Sequence, residues 1–370
     1  MKILLIAQFG KYGGTREAFK RILNVHKERG FETHVIIGHS SDENIKEFIS
    51  QQGASFSEMT KKRRLFNNMI GSVFHQHLNY KPILNRWKPD LIVTSIGTAQ
   101  FALYPFIRQY PMVYILHTIP LELSRHLKYF FKIFSFFSGK NQWICGVSAA
   151  TVNSVVRNWG YDRNKTAVLY NTFNSEHLNS VIRPGKKSKI VVLTLGHVVW
   201  YKNPKLWLKV AKQVTKKYSH VEFIWLGDGK LFSEFRNKTK DNSQIHFPGF
   251  QQGLKKYYLQ ASIYFQPSLK ENHSFSVLDA MANGLPCVVS NVGGQPESIE
   301  EGKHGYLCKP EDSGMFVERL TMLIENAELR KQLGDKAKNR AYDEFNPSDY
   351  KKKLVELYNK VLNDTQGNSV

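Results

Sequence analysis

The amino-acid sequence predicts an α/β protein built from two doubly wound, Rossmann-like domains. The length of 370 residues suggests two domains that each bury their own core. In both halves of the chain, short apolar runs alternate with segments of helical periodicity. The stretch 262–297 contains a strand, a helix and a second strand in about 30 residues, which is typical of a βαβ unit with parallel strands.

The first half of the chain begins with an apolar strand over 2–8, a glycine-rich loop over 9–16 and a helical pattern over 17–29. Gly13 and Gly14 lie in this loop, where the backbone either approaches a ligand closely or only makes a tight turn. The glycines do not follow the pattern G-x-G-x-x-G, which argues against a nicotinamide cofactor. Further buried strands are predicted over 33–37, 90–95, 113–117, 143–147 and 167–171.

A second series of strands and helices follows a linker predicted at 181–188, which contains proline, glycine and charge and lacks periodicity. Its strands are predicted over 190–195, 221–226, 245–247, 263–266 and 286–290. Its helices are predicted over 204–218, 230–239, 254–260, 315–326, 329–345 and 347–362. We therefore expect an N-terminal domain over 1–183, a C-terminal domain over 184–346 and a terminal helix with a frayed tail over 347–370.

Two acidic residues within 262–297 carry the chemical interpretation. Glu271 lies just beyond the carboxyl end of the strand 263–266, where open α/β sheets bind ligands, and Asp279 lies about one turn into the next helix. A carboxylate accepts two hydrogen bonds side by side and suits a vicinal diol, and a helix N-terminus suits a phosphate. The pattern therefore fits a nucleotide-sugar pocket, and it equally fits a solvated loop acid and a favourable charge in the first helical turn.

The stretch 262–297 also resembles the signature of a large family, the retaining GT-B glycosyltransferases of family 4, the "glycosyl transferases group 1" type. The family usually has glutamate where this chain has Asp279, and aspartate is shorter by one methylene. The matching residues are Pro267, Ser268, Glu271, Asp279, Ala280, Met281, Ala282, Gly284, Pro286, Gly293, Gly294 and Glu297.

The resemblance implies roles for several side chains. It implies that Glu271 orients the donor sugar and that Asp279 holds the ribose. In the loop 196–204 the family has Gly-Arg followed by lysine five residues later; Lys202 matches the lysine, and His197 stands at the arginine position. Lys202 and His197 are expected at the diphosphate. His117, which ends the strand 113–117, is expected to face the reacting sugar.

The remaining expected contacts come from the backbone. The N–H groups of Asn272, His273, Ser274 and Phe275, together with the loop that contains Gly13 and Gly14, are expected to complete the anion site. We thus expect His117, Glu271 and Lys202 to be catalytic and a UDP or GDP sugar to be the donor, with no separate cofactor. The chain contains no Asp-x-Asp motif, so we expect no metal ion bound by such a motif.

The formal net charge of +21 implies an anionic partner: nucleic acid, anionic lipid or a phosphorylated substrate. The basic run 61–64 leads into an amphipathic pattern rich in phenylalanine and methionine, and 124–139 contains six aromatic residues between lysines. Both segments fit peripheral binding to an anionic membrane, and both also fit ordinary helices packed on the sheet. We expect no nucleic-acid partner, because no recognised nucleic-acid-binding motif occurs.

The function predicted from these observations is transfer of a sugar from a nucleotide diphosphate to a glycan or lipid-linked acceptor, with retention, in cell-surface polysaccharide synthesis. The alternative is a catalytically silent subunit of the same fold that binds a partner or a membrane. A third hypothesis, a basic nucleic-acid binder, depends on charge alone. The three cysteines and the absence of a signal-peptide core predict a cytoplasmic protein, and the basic aromatic segments favour the inner face of the plasma membrane. The resemblance further implies a central cleft between the domains and a last helix that crosses back to the first domain.

Overall fold

The computed structural model describes residues 1–7, 13–38, 42–60, 69–95, 110–120, 141–178 and 189–366. The basic run 61–64, the aromatic segment 124–139 and the predicted linker 181–188 lie outside the described residues. The chain divides into two compact units. Unit 1 comprises Met1–Leu169 and Lys351–Val370, and unit 2 comprises Tyr170–Tyr350. The domain boundary predicted at 183/184 lies in the undescribed part and stays a prediction.

Within its described residues, unit 1 contains one sheet of seven parallel strands. These are β1 (Lys2–Ala7), β2 (Glu32–Ile37), β3 (Ser55–Glu58), β4 (Leu91–Ser95), β5 (Met112–Leu116), β6 (Gln142–Gly146) and β7 (Thr166–Val168). The helices are α1 (Gly14–Glu28), α2 (Glu43–Gln51), α3 (Met69–Trp87) and α4 (Ala149–Trp159). The Ser148 hydroxyl caps α4, because it accepts a hydrogen bond from the Thr151 N–H at 3.1 Å.

Within the described part of unit 2, six parallel strands form a second sheet. They are β8 (Ile190–Leu195), β9 (Val221–Leu226), β10 (Ile245–Gly249), β11 (Ile263–Gln266), β12 (Cys287–Ser290) and β13 (Gly305–Cys308). The helices are α5 (Pro204–Lys217), α6 (Phe232–Lys238), α7 (Lys255–Gln260), α8 (Phe275–Ala282), α9 (Gln295–Ser298), α10 (Ser313–Glu325) and α11 (Ala327–Glu344). The elements α2, β3 and β13 were not predicted.

Both sheets have the doubly wound order. The strands of unit 1 run β3-β2-β1-β4-β5-β6-β7, and those of unit 2 run β10-β9-β8-β11-β12-β13. The strand order reverses between β1 and β4 in unit 1 and between β8 and β11 in unit 2. Strands such as β1 and β8 are almost entirely buried, as expected for parallel sheets covered on both faces. The prediction of two Rossmann-like domains is confirmed.

The last helix, α12 (Pro347–Gln366), begins in unit 2 and belongs to unit 1 from Lys351 onward. It buries Leu354, Tyr358 and Val361. The Tyr358 hydroxyl lies 3.0 Å from Nε2 of the buried His26 on α1, and the indole N–H of Trp143 donates to Asp364 at 3.0 Å. The predicted return of the last helix to the first domain is therefore confirmed.

Candidate functional site

The candidate site lies in unit 2 at the point where the strand order reverses. In open α/β sheets, ligands bind outside the carboxyl ends of the strands at such a switch point. The loop 196–203 follows β8 and the loop 267–274 follows β11, and these two strands are neighbours. Side chains from the two loops therefore meet at one edge of the sheet although they are about 70 residues apart in sequence.

The central contact of this edge is an ion pair between Lys202 and Glu271. The Lys202 ammonium donates a hydrogen bond to Oε2 of Glu271, and both side chains are largely buried. Lys202 is held in a 3₁₀ turn, Trp200–Lys202, whose backbone N–H at Lys202 bonds to the carbonyl of Val199 at 3.0 Å. The structure thus brings together the two residues that the sequence placed in separate loops, and it pairs their charges directly.

Gln266 orients Glu271, a role that the sequence reasoning missed. Its amide Nε2 donates to Oε2 of Glu271 at 2.7 Å. Its Oε1 accepts from the hydroxyls of Tyr264 at 2.9 Å and Ser276 at 3.2 Å, which fixes the orientation of the amide group. The Ser268 hydroxyl adds a long contact of 3.4 Å to the same carboxylate oxygen. The one available signal was a glutamine at the end of an otherwise apolar strand.

The loop 196–203 packs tightly against the loop after β9, and two glycines of that second loop, Gly227 and Gly229, have no room for side chains. A Cβ on Gly227 would lie 2.1 Å from the carbonyl oxygen of Gly196, and a Cβ on Gly229 would lie 2.7 Å from that of Val198. Both glycines also have φ in the left-handed region, at 139° and 153°. The indole N–H of Trp225 donates to the Gly196 carbonyl at 2.8 Å, so the backbone next to Lys202 is held from two sides.

His197 lies in the same loop, at the position where the resembling family has arginine. Partial burial lowers the pKa of His197, and the nearby Lys202 ammonium lowers it further, while Asp228 acts in the opposite direction. The ring is therefore neutral at pH 7. The positive charge of this loop lies on Lys202, and His197 is a neutral hydrogen-bonding group.

His273 fixes the loop that leads into α8. Its Nδ1 accepts the backbone N–H of Asn171 at 3.1 Å, and its carbonyl accepts from the Asn171 amide at 2.6 Å. The ring lies between Tyr170 and Phe345, with ring centroids 4.9 Å and 5.0 Å away. Burial, with a smaller effect of Arg340, lowers the pKa of His273 to about 3. The ring is thus neutral, and because Nδ1 accepts, Nε2 carries the proton.

α8 begins at Phe275, directly after Ser274, and the Ser274 side chain does not cap the helix. Asn272 lies directly after Glu271 in the loop 267–274, and its N–H donates to Oε1 of Glu271 at 3.3 Å. The four residues whose backbone N–H groups were predicted to bind, Asn272 to Phe275, therefore run from Glu271 to the first residue of α8. Their predicted role at a phosphate stays a prediction.

The Asp279 carboxylate makes contacts with other residues of unit 2. It is 4% exposed, and its Oδ1 accepts the backbone N–H of Asn174 at 2.7 Å. Its Oδ2 lies 2.8 Å from Nδ1 of His177, and the Asn283 amide donates to the His177 carbonyl at 3.2 Å. Both carboxylate oxygens therefore anchor the segment 174–177 to α8. The predicted contact with a ribose stays a prediction, and it would have to displace or share these bonds.

The other predicted site residues lie in unit 1. Gly13 precedes α1 with φ 118°, and Gly14 is the first residue of that helix. His117 follows β5, and its Nε2 lies 2.8 Å from the hydroxyl of Ser95 at the end of the neighbouring strand β4. Burial lowers the pKa of His117 to about 4, so the ring is neutral at pH 7. The predicted roles of these residues at the donor stay predictions.

Among the residues that the structure describes, no group of three or more His, Cys, Asp or Glu side chains is arranged to hold a metal ion. None of the helices in those same residues combines the length and apolar character needed to span a membrane.

Comparison with protein-family models gives matches over nearly the whole chain. Residues 12–177 match the model described as Glycosyltransferase Family 4, and residues 179–340 match the model described as Glycosyl transferases group 1. The division between the two matches lies close to the division between the two structural units. The candidate site, with Lys202 and Glu271, lies in the second match.

Individual relatives are distant. The chain is 24% identical to the N-acetyl-alpha-D-glucosaminyl L-malate synthase of Bacillus anthracis over 60% of this chain and 66% of the relative. It is also 24% identical to a UDP-Gal:alpha-D-GlcNAc-diphosphoundecaprenol alpha-1,3-galactosyltransferase of Escherichia coli, over 55% of this chain and 53% of that protein. It thus spans between half and two thirds of the length of these curated relatives.

Among solved structures, the Anabaena protein HepE in complex with UDP and glucose superposes with a TM-score of 0.79. The sequence identity is 20%, and the superposition covers 97% of this chain and 100% of that structure. At this identity the similarity shows the shared fold.

Proposed function

Because the chain belongs to the glycosyltransferases of the group 1 and family 4 type, with the GT-B fold, we propose that it transfers a sugar from a nucleotide diphosphate to an acceptor. The observation that carries this proposal is the Lys202–Glu271 ion pair at the switch point of unit 2. A cation and a carboxylate at this edge suit the two ends of the scissile bond, since one neutralises the leaving diphosphate and the other accepts hydrogen bonds from sugar hydroxyls.

The contacts of Lys202 and Glu271 support a proposal for how each would act. Lys202 would exchange its bond to Glu271 for the diphosphate, and the released Glu271 would remain oriented by the Gln266 amide. His197 would donate or accept as a neutral ring unless a bound phosphate raises its pKa. This division gives Lys202 the electrostatic role and Glu271 the positioning role. His117 is proposed to face the reacting sugar from unit 1.

We propose UDP or GDP as the nucleotide of the donor. The UDP complex of HepE supports this choice by similarity of fold. A thermal-shift screen with UDP, GDP, ADP and the corresponding sugars tests it. At a concentration about 100 times Kd, the matching nucleotide should raise Tm by roughly 5–10 °C, because it binds only the folded state. A screen without any shift from these nucleotides would contradict the proposal.

The reaction is proposed to retain the anomeric configuration and to need no metal ion. Retention is read directly by NMR: the anomeric coupling constant of the product should match that of the donor sugar. An inverted product would refute retention. Metal independence is tested separately by measuring transfer after extensive EDTA treatment, where the rate should be unchanged and should not rise on adding Mg²⁺ or Mn²⁺.

The acceptor is proposed to be a glycan or a lipid-linked sugar of cell-surface polysaccharide synthesis, met at the cytoplasmic face of the membrane. The name of the Escherichia coli relative, which specifies a diphosphoundecaprenol acceptor, supports this class. The charge distribution supports it as well: unit 1 contains 27 basic and 12 acidic residues, a net +15, whereas unit 2 contains 25 and 19, a net +6. A basic unit suits a phosphorylated lipid or an anionic membrane surface.

Flotation with liposomes tests the membrane part of this proposal. The protein should float with vesicles that contain anionic lipid and stay at the bottom with purely zwitterionic vesicles, and high salt should reverse the binding. Equal behaviour with both vesicle types would exclude electrostatic docking. Replacing the basic run 61–64 with glutamine would show whether that segment contributes.

A catalytically silent subunit remains the second candidate. The observation behind it is the full engagement of Asp279 by Asn174 and His177, together with the histidine at position 197. This candidate predicts neither hydrolysis nor transfer with any nucleotide sugar in the thermal-shift panel. Nucleotide binding without turnover, unaffected by Glu271→Ala, would favour it over the enzyme.

A further inference from the structure

The most exposed large hydrophobic side chain in the part of the chain that the structure describes lies one turn from the candidate site. Trp200 is 59% exposed and opens the 3₁₀ turn that ends at Lys202. The buried tryptophans of unit 2, Trp207 and Trp225, pack against each other, with ring centroids 5.2 Å apart. Trp200 does not contribute to that core, and its ring is available for contact from solvent.

A lysine is held against the exposed ring. Nζ of Lys270 lies 5.1 Å from the centroid of the Trp200 ring. Within the described ranges, no carboxylate lies at ion-pair distance from Lys270, whereas Lys202 is paired with Glu271. Lys270 thus offers a positive charge to solvent beside an aromatic face, next in sequence to Glu271.

The arrangement is fixed by the backbone. The Tyr201 carbonyl accepts the N–H of Leu269 at 2.7 Å and makes a longer contact of 3.4 Å with the N–H of Lys270. These bonds join the loop after β8 to the loop after β11, and they place Trp200 and Lys270 on either side of the junction. Little ordering is therefore required of the two backbones when a ligand binds.

The chemistry of the pair restricts its ligand. A nucleobase would stack on the indole and make no use of the Lys270 charge, and a diphosphate would use the charge and leave the ring uncovered. A pyranose that carries a carboxylate or a phosphate uses both, because its C–H face packs on an aromatic ring while its anion meets the ammonium. The position next to the Lys202–Glu271 pair places such a sugar beside the proposed transfer site.

We propose that Trp200 and Lys270 form a subsite for an anionic pyranose of the acceptor, adjacent to the donor site. The subsite rests on the proposed function, because the sugar it holds is the one that would receive the transferred residue. It adds a specificity to that function: an acceptor with a uronic acid or a phosphosugar next to the point of attachment is favoured over a neutral one.

Ligand-observed NMR titrations with three probes test the proposal: glucuronate, glucose 6-phosphate and neutral glucose. Each is measured with and without saturating UDP, which occupies the donor site. The variants are Trp200→Ala and Lys270→Gln. Matched controls are Phe250→Ala, which removes another exposed aromatic side chain of unit 2, and Lys256→Gln, which removes a lysine 5.0 Å from the ring of Tyr257.

Wild-type protein should bind the two anionic sugars more tightly than glucose, and UDP should not compete. Trp200→Ala should weaken all three sugars about tenfold. Lys270→Gln should weaken only the two anionic sugars, by about threefold, and the controls should match wild type. The two anions distinguish a carboxylate from a phosphate ligand.

Several results would overturn the subsite. One is wild-type protein that binds no anionic sugar in preference to glucose. Another is a Trp200→Ala protein that loses UDP affinity as strongly as sugar affinity, which would assign the ring to the nucleobase. Competition by UDP would assign the sugars to the donor site. Failure of UDP itself to bind would count against the proposed function, while sugar binding without nucleotide would still report on Trp200 and Lys270.

Discussion

The two units of this protein share the doubly wound strand order and yet differ at the carboxyl edges of their sheets. In unit 2 that edge carries the Lys202–Glu271 ion pair, whose geometry is fixed by Gln266. In unit 1, Arg16 in the first turn of α1 pairs with Asp42, which precedes α2, and the Ser95 hydroxyl contacts the neutral ring of His117 after β4 and β5. Unit 1 nevertheless carries the larger net charge, +15 against +6. The comparison indicates that the two units place their ion pairs differently. In unit 2 the pair lies where the strand order reverses, between the loops after β8 and β11, and in unit 1 it lies between the segments after β1 and β2.

The largest expected effect comes from removing the carboxylate of the Lys202–Glu271 pair. Glu271→Gln should lower the rate of sugar transfer by about 10²- to 10³-fold, because a charge that positions the donor is lost from a largely buried site. Nucleotide affinity should not fall, since Lys202 is then released from its ion pair. The assay is transfer from a radiolabelled nucleotide sugar.

Glu234→Gln is the matched control, because Glu234 also pairs with a lysine, Lys238, but on the exposed surface of α6. It should leave transfer unchanged. Equal losses in the two variants would mean that the Lys202–Glu271 pair has no special role.

Acid should destabilise both units through buried histidines. Burial lowers the pKa values of His26 in unit 1 and His273 in unit 2 to about 3. In the unfolded chain a histidine titrates near 6.5, so below that pH the unfolded state binds protons that the folded state does not. Stability is therefore unaffected above pH 6.5 and falls as the pH drops from 6.5 towards 3, by up to about 1.4 kcal/mol per pH unit for each histidine.

Urea unfolding at a series of pH values between 7 and 4 measures this dependence. His26→Gln and His273→Gln should each flatten the pH dependence of the unit that contains them. The exposed His220 provides the control, and His220→Gln should not change it. If all three variants showed the wild-type slope, the buried histidines would not be the source of the acid sensitivity.

A smaller effect is expected where Asp279 joins α8 to the segment 174–177. Asp279→Asn removes the charge that meets His177 and the Asn174 N–H, and it should destabilise unit 2 by about 1–3 kcal/mol. If Asp279 also holds the ribose, KM for the donor should rise in a variant that still folds. An increase in KM without loss of stability would indicate a purely ligand-binding role and would contradict the anchoring contacts.

The smallest expected effect concerns the contact between α12 and α1 in unit 1. Tyr358→Phe removes the hydroxyl that meets Nε2 of His26 and should cost about 0.5–1.5 kcal/mol, since the ring remains packed. The change should appear in the unfolding of unit 1 and leave nucleotide binding by unit 2 intact. A loss of nucleotide binding would show that the helix has a role beyond the stability of unit 1.

The sequence predicted those parts of the fold that have strong local patterns. The stretch 262–297 contains apolar strands on both sides of a helical pattern, and its βαβ unit is confirmed. β3, with the sequence SFSE, was missed because it is short and polar, and β13 because only four residues, GYLC, form it. Such strands depend on the pairing of a neighbouring strand more than on their own residues.

The site was predictable where topology alone decides it. Lys202 and Glu271 follow β8 and β11, which are neighbours in the doubly wound strand order, so their meeting could be expected once that fold was predicted. The partners of Asp279 could not, because His177 is 102 residues away and no pattern in the sequence connects the two. Gln266 was overlooked for a related reason: a single polar residue in a buried strand does not reveal which loop its amide will meet.

The most direct test of the central claim is a calorimetric titration of UDP and GDP into wild-type protein, Lys202→Met and Glu271→Gln. If the ion pair marks the donor site, one nucleotide binds the wild type, Glu271→Gln binds it at least as tightly, and Lys202→Met loses at least about tenfold in affinity. Equal affinity of Lys202→Met and wild type for the nucleotide would contradict the account.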